Sequence, residues 1–303
     1  MATLSNSPST ALKRGFAWFS AYFAWILAVK LLAVTLVTYF MQASNPKVRF
    51  EEISEALASN EVTLLGLAAL GFLILVRAFN PITSSNTADM INAERIEKRF
   101  IPGFMHGALL ASGLALAFIL SGFYRYLGIP FDFEEAPLQL ATILVRTAAL
   151  VCLAYSEEFI FRHQIAHHLE KSFPPLLRGL LVAGLYVLVK CLQFDFALGL
   201  MQMTTLALLS LMLSYRARRD GDFGSPAGYL AALFVVFHPV LSLPVFGNDF
   251  TGIALIKFQG APEGSSQLEL QRFLSGGAGG PFSSFAFQML LLLDILRGTL
   301  RKL

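Results

Sequence analysis

Residues 138–162 read LQLATILVRTAALVCLAYSEEFIFR, an apolar run that closes on two adjacent carboxylates and a guanidinium. A transmembrane helix needs roughly 20 mostly apolar residues to cross a ~30 Å hydrocarbon layer. The stretch therefore predicts a spanning helix that carries Arg146, Glu157, Glu158 and Arg162. Charge at membrane depth is costly and marks paired or functional groups. The rest of the 303 residues agrees: 55% are hydrophobic, 14% are charged and 28 are phenylalanine, too little polar surface to cover a water-soluble globule.

Working outward from this helix, seven further stretches approach the same length, near 15–41, 62–80, 104–128, 175–194, 196–215, 227–246 and 281–299. The quoted stretch, at 138–161, is then the fourth of eight. Breakers separate them at Asn80-Pro81, Ile129-Pro130, Pro174-Pro175, Gly221 to Pro226 and Gly276 to Pro281. The first stretch is longer than a signal-peptide core and lacks a small-x-small cleavage site, so it is read as a retained span. No repeat or second domain is visible, and 1–303 is read as one membrane-embedded domain. Cys152 and Cys191 lie in apolar runs and suggest neither a disulfide framework nor a metal site.

Orientation follows from counting Lys and Arg by loop, because short cytoplasmic loops carry the excess. Lys13, Arg14, Arg77, Arg95, Lys98, Arg99, Arg162, Lys171, Arg178, Arg216, Arg218, Arg219, Arg297, Arg301 and Lys302 fall on one side, fifteen in all. Lys47, Arg49, Arg125, Lys257 and Arg272 make five on the other. The expected fold is all-α, an eight-helix polytopic membrane protein with both termini cytoplasmic. Lys30, Arg146 and Lys190 remain inside spans and need partners.

Glu158 and Arg162 are four apart and share a helix face, so they can form an ion pair. Glu157 points about 100° away, has no such partner on its own helix, and suits a general base acting on water. The plainer reading leaves both glutamates at the interface, with Arg162 snorkelling to the headgroups. Depth separates the two. With the fourth helix continuing to Glu170, Glu158 lies ~18 Å from its cytoplasmic end, while Lys190 rises ~21 Å from Leu176 and His238 ~18 Å from Pro226. Glu157, Glu158, Lys190 and His238 are expected to meet at one level.

His163 and His167 stand at the i, i+4 spacing with which two imidazoles bind zinc, but Gln164 occupies the place where a metalloprotease needs a glutamate base. This segment, with His168 and Glu170, is read as juxtamembrane and amphipathic, with no metal. Asp294 and Arg297, three apart, are expected to pair with each other. The glycines from Gly276 to Gly280 lack the context of a phosphate loop and are read as an extracytoplasmic turn.

Glu157-Glu158-Phe159-Ile160-Phe161-Arg162 resembles the Glu-Glu-x-x-x-Arg motif of the CAAX prenyl endopeptidases and bacteriocin-processing proteins, a family of intramembrane glutamic proteases. In that family the motif lies on the fourth of eight helices, with Phe-x-x-x-His on the fifth and His-x-x-x-Asn on the seventh. Here Tyr186 and Lys190 stand at the second motif, and His238 and Ser242 at the third. The resemblance covers about 142–246. It implies that Glu157 activates the attacking water, that Glu158 and Arg162 orient the site, and that His238 helps to bind the oxyanion. It further implies hydrolysis of a peptide bond in a membrane-associated protein or peptide, at a bacterial-type cell membrane.

The chain departs from that pattern at two places. Lys190 replaces the histidine that works with the first glutamate; it either pairs with Glu157 and makes it a poorer base or, if deprotonated, takes over proton transfer. Ser242 replaces asparagine but keeps one hydroxyl donor. The candidate catalytic set is Glu157, Glu158, Arg162, Lys190, His238 and Ser242, with no cofactor. The expected partners are that substrate and the lipid bilayer, and no nucleic acid. The alternative is an inactive relative that binds or scaffolds in the membrane.

Overall fold

The structure, a computed structural model, describes residues 8–45, 47–79, 93–130, 136–170, 172–194, 198–245 and 251–300. Among them the chain is nearly all helix: α1 (Pro8–Ser44), α2 (Phe50–Phe79), α3 (Ala93–Leu120), α4 (Ala136–Glu170), α5 (Pro175–Gln193), α6 (Leu200–Asp220), α7 (Gly224–Val240), α8 (Ser266–Ser275) and α9 (Phe285–Leu300). A two-stranded antiparallel ribbon, β1 (Tyr124–Gly128) with β2 (Leu255–Phe258), joins the end of α3 to the segment after α7. The expected break at Asn80-Pro81, residues 196 and 246, and the cations Lys171, Arg301 and Lys302 lie outside the described residues.

Five helical stretches are long and apolar enough to cross a membrane: α1, Asn60–Ala78 of α2, Lys98–Leu120 of α3, α4 and α5. α1 turns Phe16, Leu31, Leu32, Tyr39 and Phe40 outward, an apolar surface that suits lipid rather than water. The other three expected spans are shorter or more polar. α6 ends in Tyr215-Arg216-Ala217-Arg218-Arg219-Asp220. α7 is apolar and buried all round from Gly224 to Val235, as a helix enclosed by other helices must be.

Two span boundaries also move. The span expected over 104–128 stops at Leu120, because Ser121 and Gly122, the latter at φ 75°, turn the chain into β1. The span expected to close near 161 runs on to Glu170.

α7 is the axis of the bundle, with α3, α4 and α6 packed around it. The α3–α7 crossing is glycine-made. A Cβ on Gly103 would collide with the Ser225 carbonyl, and one on Gly228 with the Phe100 carbonyl. Small residues at such a crossing let two backbones approach closely, which is how helices associate where lipid removes the hydrophobic drive.

The charges inside the bundle are paired across helices. Lys30 on α1 lies 3.0 Å from Glu61 on α2 and donates to the Gln193 carbonyl of α5. Asp294 pairs with Arg216 of α6 at 2.6 Å, not with Arg297. Its side chain meets a guanidinium already held 4.3 Å over the Tyr229 ring, and a cation fixed by a neighbouring helix outcompetes one on a mobile last turn.

Candidate functional site

α4 changes its winding at the carboxylates. After Glu158 the helix widens to π spacing over Phe159–Ile165, with the Ala166 N–H bonded to the Phe161 carbonyl five residues back, and then returns to α spacing. Such single wide turns recur at functional sites. The residues from Ser156 to Phe161 are fully or nearly fully buried.

Glu157 faces α5. Its Oε1 accepts from Lys190 Nζ at 2.6 Å and from Gln193 Nε2 at 3.3 Å, and its Oε2 accepts from the Tyr186 hydroxyl at 3.1 Å. Tyr186, Lys190 and Gln193 stand at i, i+4 and i+7, one stripe of an otherwise apolar helix. The Lys190 ammonium is enclosed by the rings of Tyr186, Phe194 and Phe234 at 5.6, 5.8 and 5.2 Å, contacts that favour a cation. Glu157 and Lys190 have no solvent exposure. A buried pair of this kind is tightly coupled, because losing one member leaves the other charged in a medium that cannot solvate it.

Glu158 and Arg162 form a second pair at 3.1 Å, also without exposure. Arg162 Nη2 donates to Ser210 of α6, to its carbonyl at 3.2 Å and its hydroxyl at 3.0 Å. The guanidinium carbon lies 4.9 Å from the Tyr186 ring centroid. Two ion pairs thus stack along α4, one tied to α5 and the other to α6.

His238 does not join them at the level expected from helix ends. Phe223, just before α7, already packs on Tyr155, Phe159 and His163 at 5.3, 5.8 and 5.5 Å. α7 therefore starts beside the carboxylates, while α4 continues past them to Glu170. The α7 residue over Lys190 is Phe234, and His238 lies one turn beyond it. The charge that bears on His238 is Arg146, about three turns from Glu157 along α4.

Ser242 ends α7 in a left-handed conformation, φ 53°, uncommon outside glycine and asparagine. Its hydroxyl donates to the Ala254 carbonyl at 2.8 Å and accepts from the Gly252 N–H at 2.8 Å. The one proton available for an oxyanion is therefore committed to holding the segment before β2. Ser242→Ala removes both bonds and leaves buried backbone groups unmatched, an expected loss of about 1–3 kcal/mol seen as a lower melting temperature in detergent. An unchanged melting temperature would show that the hydroxyl holds nothing.

His163 stacks on Phe159 at 5.6 Å, whereas His167 is exposed and turns to Glu170 at 3.9 Å. Among the described residues no three His, Cys, Asp or Glu side chains converge as metal ligands.

Gln193, Ser210 and Phe234 were not singled out in the sequence. The polar i, i+7 match of Gln193 with Tyr186 was the available signal; Ser210 and Phe234 offered none. No family model, curated protein or solved structure matches the chain, so the reading rests on these residues.

Proposed function

We propose that the chain is an eight-helix protein of a cell membrane with both termini cytoplasmic, and a glutamic intramembrane endopeptidase of the CAAX-protease type in which Glu157 and Lys190 act as one acid–base pair. Its substrate is a membrane-associated protein or peptide. The observation that carries this reading is the 2.6 Å contact between the Glu157 carboxylate and the Lys190 ammonium, in a site where Tyr186 and Gln193 fix the same carboxylate.

In this mechanism Glu157 takes a proton from water as the water oxygen bonds to the scissile carbonyl carbon, and the carbonyl π electrons move to oxygen. Lys190 supplies positive charge to that oxyanion, the role that the resemblance gave to His238. Collapse of the intermediate expels the amine, which receives the proton held on Glu157. Glu158 and Arg162 hold α4 to α6 and thereby fix the Glu157 carboxylate. Since Glu157 and Lys190 are closed to solvent, entry of substrate and water requires α5 to move away from α4.

A second reading, a membrane binding or scaffold protein without hydrolysis, is favoured by that closure and by the committed hydroxyl of Ser242. Proteolysis of candidate membrane substrates by the intact protein and by Glu157→Gln, at matched expression, separates the two. The expected result is cleavage that falls at least ~100-fold in the variant, the usual contribution of a general base. Cleavage that survives the substitution excludes the glutamic mechanism. Absence of cleavage by either protein, with both folded, supports the second reading.

A further inference from the structure

A cavity of about 700 Å³ opens on the arginine-rich side of the bundle, between the last turns of α4 and α6 and the first turn of α5. Arg162, His163, Arg178, Ser214 and Arg218 are among its lining residues. Its two acids are already matched, Glu170 by Arg178 at 3.1 Å and Asp222 by Arg99 at 2.9 Å. Arg218 is exposed and makes no ion pair among the described residues.

Inside the wall, Arg162 Nε and Nη1, His163 Nε2 and Ser214 Oγ are buried without hydrogen-bond partners among the described residues. Arg162 itself is 6% exposed. Buried polar groups are almost always satisfied, so a cluster of orphans around one cavity calls for a ligand that supplies acceptors. α5 adds to the field, since its N-terminus begins Pro174-Pro175 without a side-chain cap and directs the positive end of its dipole at the same space.

We infer that this cavity binds a phosphate group. Arginine forks and hydroxyls match phosphate oxygens, and the planar guanidinium makes charge-assisted bonds to them. Leu176, Leu211, Val182 and Ile295 form the rest of the wall, and Leu176 is 73% exposed at the rim. An apolar wall around cationic donors fits the phosphate of an anionic phospholipid whose tails stay in the bilayer better than it fits the free ion. The site is separate from the Glu157–Lys190 pair and does not depend on the protease reading.

The test is native mass spectrometry of the purified protein with phosphatidylglycerol, with diacylglycerol as the same tails without phosphate, and with inorganic phosphate. Wild type is expected to retain phosphatidylglycerol over diacylglycerol. Arg218→Gln is expected to weaken retention about tenfold, and Arg178→Gln with it further, as lost charge-assisted bonds require. Arg218→Gln touches no ion pair, so it keeps the comparison interpretable if the double variant misfolds.

Binding of inorganic phosphate with no preference between the two lipids, lost in Arg218→Gln, assigns the same site to a soluble phosphate. Equal retention of the two lipids without phosphate binding, or retention unchanged in Arg218→Gln, overturns the inference.

Discussion

Lys190→Met destabilises the protein by about 3–5 kcal/mol, the usual consequence of leaving one member of a buried ion pair uncompensated. Methionine fills nearly the same volume, so the loss reports charge rather than a cavity. It leaves Glu157 facing the rings of Phe194 and Phe234 with only Tyr186 and Gln193 to bond it. The double variant Glu157→Gln with Lys190→Met removes both charges and is expected to recover most of the stability, because the desolvation of the pair offsets much of its attraction. Thermal melting of the four proteins in one detergent gives the coupling directly. Additive losses would mean that the two groups are not paired in the folded protein.

Gly228→Leu separates α3 from α7 and is expected to prevent assembly of the bundle. Even a single Cβ at this position would occupy the space of the Phe100 carbonyl, which is backbone and cannot swing aside. Overpacking of a well-filled interior costs about 1–3 kcal/mol when side chains yield and more when they do not; here the axis of the bundle must shift. Gly184→Leu on α5 is the matched control, since a Cβ there has nothing within 4 Å. Monodisperse elution in detergent for Gly184→Leu and aggregation for Gly228→Leu is the expected pair of results. Two well-behaved proteins would show that the crossing is loose.

The pairing of Glu157 with Lys190 was legible because charge in an apolar run has few physical excuses, and equal depth in two consecutive antiparallel helices follows from their shared turn. The same reasoning failed for His238. Depth was measured from helix ends, and nothing in the sequence says that α4 overruns the start of α7, which only the packing of Phe223 on Tyr155, Phe159 and His163 reveals. Tyr124–Gly128 was read as the tail of a span because a short aromatic run does not distinguish strand from helix by periodicity. Asp294 illustrates a related limit: local spacing offered Arg297, but the stronger partner came from a helix far away in sequence.

The wide turn after Glu158 makes α4 two rods spliced out of phase. Removing one residue between Phe159 and Ile165 would return that stretch to α spacing and rotate all that follows by about 100°. His167 and Glu170 would swing off the cavity wall, while Glu157 and everything before it kept its register against α5. The two halves of one helix, and the two sites they serve, are therefore open to separate adjustment by a single codon.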